Sequence, residues 1–194
     1  MGCKLLVVGM ALILPLAVAA QNSPATRKNN NGQLSQGDEM FLKALIQEDI
    51  SEISLAKMAL QKSSNPQVKQ YAQTKILAAD PQMRDGAARI ASAHNFQPPT
   101  GPNARQRKIH GELAKKNGKY FDNAYMNYEA SQQTADVKLV KTEIKSTSNA
   151  QVKQYVTAQE TPVEQAASAA RNLSAQISSA LTSYRHQVTH KPGR

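Results

Sequence analysis

An octapeptide that occurs twice sets the strongest limit on how this chain can fold. Ser-Asn-Pro-Gln-Val-Lys-Gln-Tyr at 64–71 returns as Ser-Asn-Ala-Gln-Val-Lys-Gln-Tyr at 148–155, seven of eight positions identical at an offset of 84. Carried backwards, the offset pairs Asp38 with Asp122, Phe41 with Tyr125, Glu52 with Asp136, Ile53 with Val137 and Leu60 with Ile144. Carried forwards, it pairs Asp80 with Glu164. Partners that match on both sides of so close a repeat argue for a duplicated unit rather than for two similar helix starts.

Each copy marks a break between two stretches of helical periodicity. Before the first, Phe41, Leu42, Leu45, Ile46, Ile53, Ala56 and Leu60 recur at helical spacing, with Asp38 as the expected cap. After it, Pro66 takes the first-turn position proline tolerates, and Val68, Ala72, Ile76, Ala79, Met83, Ala87 and Ile90 share a face to about His94. A third helix opens at Tyr120-Phe121-Asp122 and runs through Tyr125, Tyr128, Val137, Val140 and Ile144 to a break at 146–149. A fourth carries Val152, Tyr155, Val156, Val163, Ala166, Ala170, Leu173, Ile177, Leu181 and Tyr184. Pro81 and Pro162 fall inside the second and fourth helices and should bend them. The connection from Asn95 to Gly118 is too long for a hairpin turn and suits a crossover, with a short helix from Asn103 to Lys116. The expected fold is all-α: a ferritin-like four-helix bundle over 37–184, in which repeat-related hairpins 37–95 and 118–184 are joined by a long crossover at 96–117.

The ends read differently. Lys4, the apolar run Leu5 to Leu16 and then Ala17-Val18-Ala19-Ala20 make a secretory signal peptide over 1–20, cleaved after Ala19 or Ala20. An uncleaved anchor is the alternative, but twelve apolar residues span roughly 18 Å as a helix against roughly 30 Å of hydrocarbon. Residues 21–36, rich in Asn, Ser, Gln and Gly, read as a disordered leader, and 185–194 as a flexible basic tail. Cys3 lies too early for a lipoprotein cysteine, and Leu6 stands where a myristoylation motif wants Ser or Thr. The mature chain then holds no cysteine, which excludes disulfides, thiolate metal sites and a cysteine nucleophile. It holds no transmembrane helix either.

A net charge of +10 invites a nucleic-acid reading, so its distribution matters. From Asp38 to Asn95 seven basic residues balance seven acidic ones, and from Tyr120 to Thr182 five face six. The excess sits in connectors, at Arg105, Arg107, Lys108, Lys115, Lys116 and Lys119, and in the tail at Arg185, Lys191 and Arg194. No nucleic-acid partner is expected. The connectors suit an anionic envelope component, or simply solubility.

Several short segments resemble a known family. Asp-Glu-Met-Phe-Leu at 38–42, Ser-Glu-Ile-Ser-Leu-Ala at 51–56, Asn-Pro-Gln-Val-Lys-Gln-Tyr-Ala at 65–72, Phe-Asp-Asn-Ala-Tyr-Met at 121–126 and Thr-Pro at 161–162 carry the likeness. In order and spacing they resemble the bacterial ferritin-like family known as domain of unknown function 4142, often labelled exported or outer-membrane. The resemblance implies a histidine after the Asp of the second helix, one on the third and one on the fourth. This chain has Pro81, Gln133 and about Ala167 there.

Ferritin-like di-iron sites take a Glu from each of two helices and a Glu-x-x-His from each of the others. Here the carboxylate candidates for a metal are Glu52, Asp80, Asp136 and Glu164; three residues after Asp80 comes Met83, and three after Glu164 comes Ala167. An all-carboxylate set suits a hard divalent cation better than redox iron. The competing reading makes them surface carboxylates, or inward ones satisfied by Gln132, Gln133 or a lysine. Tyr71, Tyr125, Tyr128 and Tyr155 read as core aromatics. His94 and His110 flank the crossover; His186 and His190 stand four apart, a spacing that suits a metal if the helix extends so far, against the expected reading of a polar, frayed end. No phosphate loop, nucleophile elbow or zinc-protease motif is present, so neither a catalytic constellation nor a bound cofactor is expected. The expected function is that of an exported periplasmic or outer-membrane-associated protein, a non-catalytic structural, stress-related or interaction bundle. The alternative is a carboxylate-based metal-binding protein.

Overall fold

A computed structural model of the chain describes residues 32–189. The expected signal peptide, most of the leader and residues 190–194 lie outside them. The described residues form helices α1 (Gln36–Lys62), α2 (Pro66–Tyr71), α3 (Asp80–Ala93), α4 (Ala104–Ala114), α5 (Gly118–Ser146) and α6 (Ala150–Thr189), with no strand among them. None is long and apolar enough to cross a membrane.

Both octapeptides sit at helix starts and act alike. The Asn65 side chain accepts from the backbone N–H groups of Gln67 and Val68, and Asn149 from those of Gln151 and Val152. Each satisfies donors that a first helical turn leaves free. Equivalence continues at a distance. The Thr147 hydroxyl favours the ionised form of Asp38, and the Ser63 hydroxyl that of Asp122, so the start of α1 lies beside the end of α5 and the converse. Each pair is the other shifted by 84. Asp38 is not the cap of α1, however. Ser35 is, in a capping box: Asp38 N donates to Ser35 Oγ at 3.1 Å, and Ser35 N to Asp38 Oδ2 at 2.7 Å.

Helix α1 packs on α3 and on α5, α5 lies along α6, and α3 closes against α6. Helix α4 occupies the long connection, one residue shorter at its start than expected, with Asn103 as its cap, and leans on α1 and α5. Two apolar clusters result. Leu55, Ala59, Val68, Ile76, Phe121, Met126 and Ile177 belong to one, and Phe41, Leu45, Ile46, Ile90, Val140 and Val156 to the other. Along α1 the clusters leave a gap between Ile46 and Leu55, and along α5 between Met126 and Val140.

The two prolines behave differently. Pro162 sits inside α6 without interrupting it. Pro81 stands in the first turn of α3, after a π-helical turn at Ala72–Ile76 and a break at 77–79. Proline has no N–H to give to a carbonyl four residues back, and in the first turn of α3 none is needed. The wide turn also absorbs one residue. Up to Ala72 and Val156 the buried positions correspond at an offset of 84, whereas Ala87 matches Ala170 and Ile90 matches Leu173 at 83. Helix α6 also reaches past the expected boundary, so 185–189 are helical rather than tail.

Candidate functional site

The gap between the apolar clusters is filled with acids. Asp49 and Glu52 from α1, Asp80 from the first turn of α3, and Glu129 and Asp136 from α5 are all at most 6 % exposed. Their nearest donors are amides and a phenol. Gln133 Nε2 donates to Glu52 Oε2 at 2.8 Å, Gln132 Nε2 to Asp136 Oδ1 at 3.1 Å, and Tyr71 Oη to Glu129 Oε2 at 3.3 Å. Glu52 lies beside Asp80 and favours its ionised form, as a protonated neighbour does. Asp49 Oδ2, Glu52 Oε1, Asp80 Oδ2 and Glu129 Oε1 are buried without a partner. None of the salt bridges among the described residues involves these five; Arg84, whose charge favours the ionised form of Asp49, makes its ion pair with Asp85 at 2.7 Å.

Burial followed by mutual repulsion sets the protonation of this waist. Burial, then the Asp80 and Asp136 charges, pushes Asp49 well above the ordinary carboxyl range. Burial, then Glu129 and Asp136, does the same for Glu52. Glu129 rises through burial and Asp80, against the pull of the Tyr125 and Tyr71 hydroxyls. Asp80 is pushed up to about 8 by burial and the Asp136 charge, against the lowering effect of Glu52. Asp136 is pushed up to about 7 by burial and Glu48, against Gln132. Burial raises the Tyr71 and Tyr125 phenols too, so they stay donors. An ionised carboxylate buried without a cation costs several kcal/mol, whereas a protonated one supplies its own donor. The waist therefore holds carboxylic acids near neutral pH.

The duplicated geometry shows why. Gln133 and Glu52 form one pair, and the offset of 84 turns it into Asp49 and Asp136. One copy sets an amide beside an acid where the other sets two acids, and the Asp136 charge raises Asp49.

Three of the four expected carboxylates, Glu52, Asp80 and Asp136, meet here. Glu164 does not: its side chain is 45 % exposed and pairs with Lys141 at 2.6 Å. The one-residue shift at the π turn is the reason, because Val163, not Glu164, occupies the position of Asp80 beyond it. The expectation for Asp80 and Glu164 as symmetric partners is thus corrected. Asp49 and Glu129 were missed. Glu129 follows Tyr125 by four residues and equates with Leu45, so an acid at an apolar-stripe position was the available signal. Tyr71 and Tyr125 are core aromatics as expected, but Tyr71 also serves the acids. His94 contacts Gln151 at 3.3 Å and His110 contacts Ser51 at 2.9 Å, neither bonding a waist acid, and His190 lies outside the described residues. No group of three or more His, Cys, Asp or Glu among the described residues is placed to hold a metal ion.

A family model described as "Domain of unknown function (DUF4142)" matches residues 23–173. The chain belongs to this family. No curated protein and no solved structure matches it. The DUF4142 segment contains every acid of the waist together with both octapeptides, and it stops inside α6, so the last turns of that helix lie beyond it.

Proposed function

We propose that this chain is an exported, non-catalytic envelope bundle of the ferritin-like, two-hairpin kind, acting through its outer surface on an anionic component of the envelope. Export rests on the N-terminal charge, apolar core and small-residue pattern. The arrangement is supported by the reciprocal Asp38–Thr147 and Ser63–Asp122 contacts and by the single long connection that carries α4. One observation carries the non-catalytic reading: the waist acids face Gln133, Gln132, Tyr71 and one another, and none of them is hydrogen-bonded to a histidine or a serine among the described residues. The test is expression of the full chain in a bacterial host, followed by fractionation and intact mass measurement. A periplasmic or membrane-associated product beginning at Ala20 or Gln21 is expected; an uncleaved product in the cytoplasm overturns the export reading.

Metal binding is the second reading, favoured by the four partnerless acid oxygens. Glu52, Asp80 and Glu129, joined by Asp136, would have to draw together around a hard divalent cation, which would displace their protons. Pro81, Gln133 and Ala167 stand where the family resemblance places histidines, which disfavours redox iron. Elemental analysis of the purified chain against Glu52→Ala/Asp136→Ala separates the readings. Stoichiometric metal lost in the double variant establishes the second; equal content in both removes it.

A further inference from the structure

Where α5 begins and α6 ends, the bundle finishes on aromatic and basic side chains. Four large apolar side chains stand exposed among the described residues, and three of them, Tyr120, Tyr184 and Val188, are here. They extend a core stripe that has run out of core: Ile177 and Leu181 are buried, Tyr184 is 39 % exposed and Val188 59 %. Cations sit on both rings in a crossed pattern. Lys119 Nζ of α5 lies 3.8 Å from the Tyr184 ring centre, and the Arg185 guanidinium of α6 lies 5.4 Å from that of Tyr120. The start of α5 carries no side-chain cap, and Gly118 takes φ 52° there, so its first N–H groups lack the partner that Asn65 gives α2.

The charge at this end is one-sided. In the segments that reach it, 53–71, 109–128 and 172–189, seven lysines and arginines face two acids. Of those acids Asp122 is buried, and Glu112 is paired with Lys115 at 3.5 Å.

We infer that this end is a docking surface for an anionic lipid bilayer, with Lys119 and Arg185 on the headgroups and Tyr120, Tyr184 and Val188 at the interface. The inference rests on the envelope reading above and names its surface and partner. Basic residues near a membrane are drawn to anionic headgroups. Tyrosine suits the boundary because its ring is apolar and its tip polar, and long cations keep their heads in water while their stems lie on apolar surface. A soluble polyanion would need the cations but not the apolar stripe.

Flotation of the purified full chain with vesicles tests it, using equimolar phosphatidylglycerol and phosphatidylcholine against phosphatidylcholine alone. Binding to the anionic vesicles only is expected. Lys119→Glu/Arg185→Glu should weaken it about tenfold or more, and Tyr184→Ser/Val188→Ser should weaken it several-fold with no change in charge. Lys138→Glu/Lys145→Glu, the same charge change on the far half of α5, should leave most of it. Lys115→Glu/Lys116→Glu serves if the first variant loses its helical melting transition. No binding by the parent chain, equal loss in the far-half control, or binding to a soluble polyanion alone overturns the inference. If the parent chain is exported and cleaved yet ignores vesicles, the inference fails while the envelope reading stands.

Discussion

The second and fourth helical segments start from the same octapeptide and end in different architectures. From Asn149 the chain runs as one helix to Thr189, through Pro162. From Asn65 it completes α2, widens into the π turn, breaks at 77–79 and restarts at Asp80-Pro81. A single absorbed residue separates them, and each residue turns a helix by about 100°. That rotation decides that Asp80 enters the waist while Glu164 meets Lys141 in solvent. Whether a carboxylate is a buried acid or a surface ion pair is settled here by register, not by residue type.

Removing one residue from each segment should break this comparison most sharply. Deleting Ala158 rotates Val163, Ala170, Leu173 and Ile177 off the core, and should abolish the cooperative melting transition. Deleting Ala78, within the break, should leave that transition in place. Equal damage would show that the two segments are equally regular and that no residue is absorbed.

Placing a second acid opposite the first is the next largest change. Val163→Asp puts a carboxyl at the true equivalent of Asp80, and should destabilise by about 3 kcal/mol or more at pH 8 in denaturant melts. Glu164→Val should stay within about 1 kcal/mol. The reverse ranking would restore the symmetry of Asp80 with Glu164.

The waist also sets a pH dependence. Asp80, pushed up to about 8, and Asp136, pushed up to about 7, bind a proton more tightly in the folded chain than in the unfolded one. Between about pH 4 and pH 8 the folded state therefore holds more protons, so stability falls as the pH rises; below about pH 4 both states are protonated and the slope vanishes. Thermal melts should give a Tm several degrees higher at pH 5 than at pH 8. Asp80→Asn should reduce that slope and raise stability at pH 8 by about 1–3 kcal/mol. Glu164→Gln should not change the slope. A Tm that rises from pH 5 to pH 8 would mean the acids are ionised and compensated by a cation.

The smallest effect belongs to the surface. Lys141→Ala breaks the pair with Glu164 and should cost at most about 1 kcal/mol in the same melts, less in high salt.

Much of the fold was readable because it is local. Periodic apolar residues, the Asn caps and the octapeptide act within a few residues of themselves, and the helices begin and end close to where those signals lie. The acids of the waist were half readable. Glu52 and Asp136 lie upstream of the break, where the offset of 84 still holds. Asp80 lies downstream of it, and only the π turn shows that its repeat-mate is the apolar Val163. Asp49 and Glu129 were hidden because an acid in a helical stripe looks the same whether it faces water or a neighbour.

Alone, then, the amino-acid sequence determined the helices, their breaks and the duplication, since each depends on hydrogen bonds and packing a few residues apart. Tertiary structure decided which carboxyls face inward, that they hold protons, and that the stripe of α6 outruns its core. Those outcomes depend on how many residues a turn absorbs and on what the facing helix presents, and both arise only when distant segments meet.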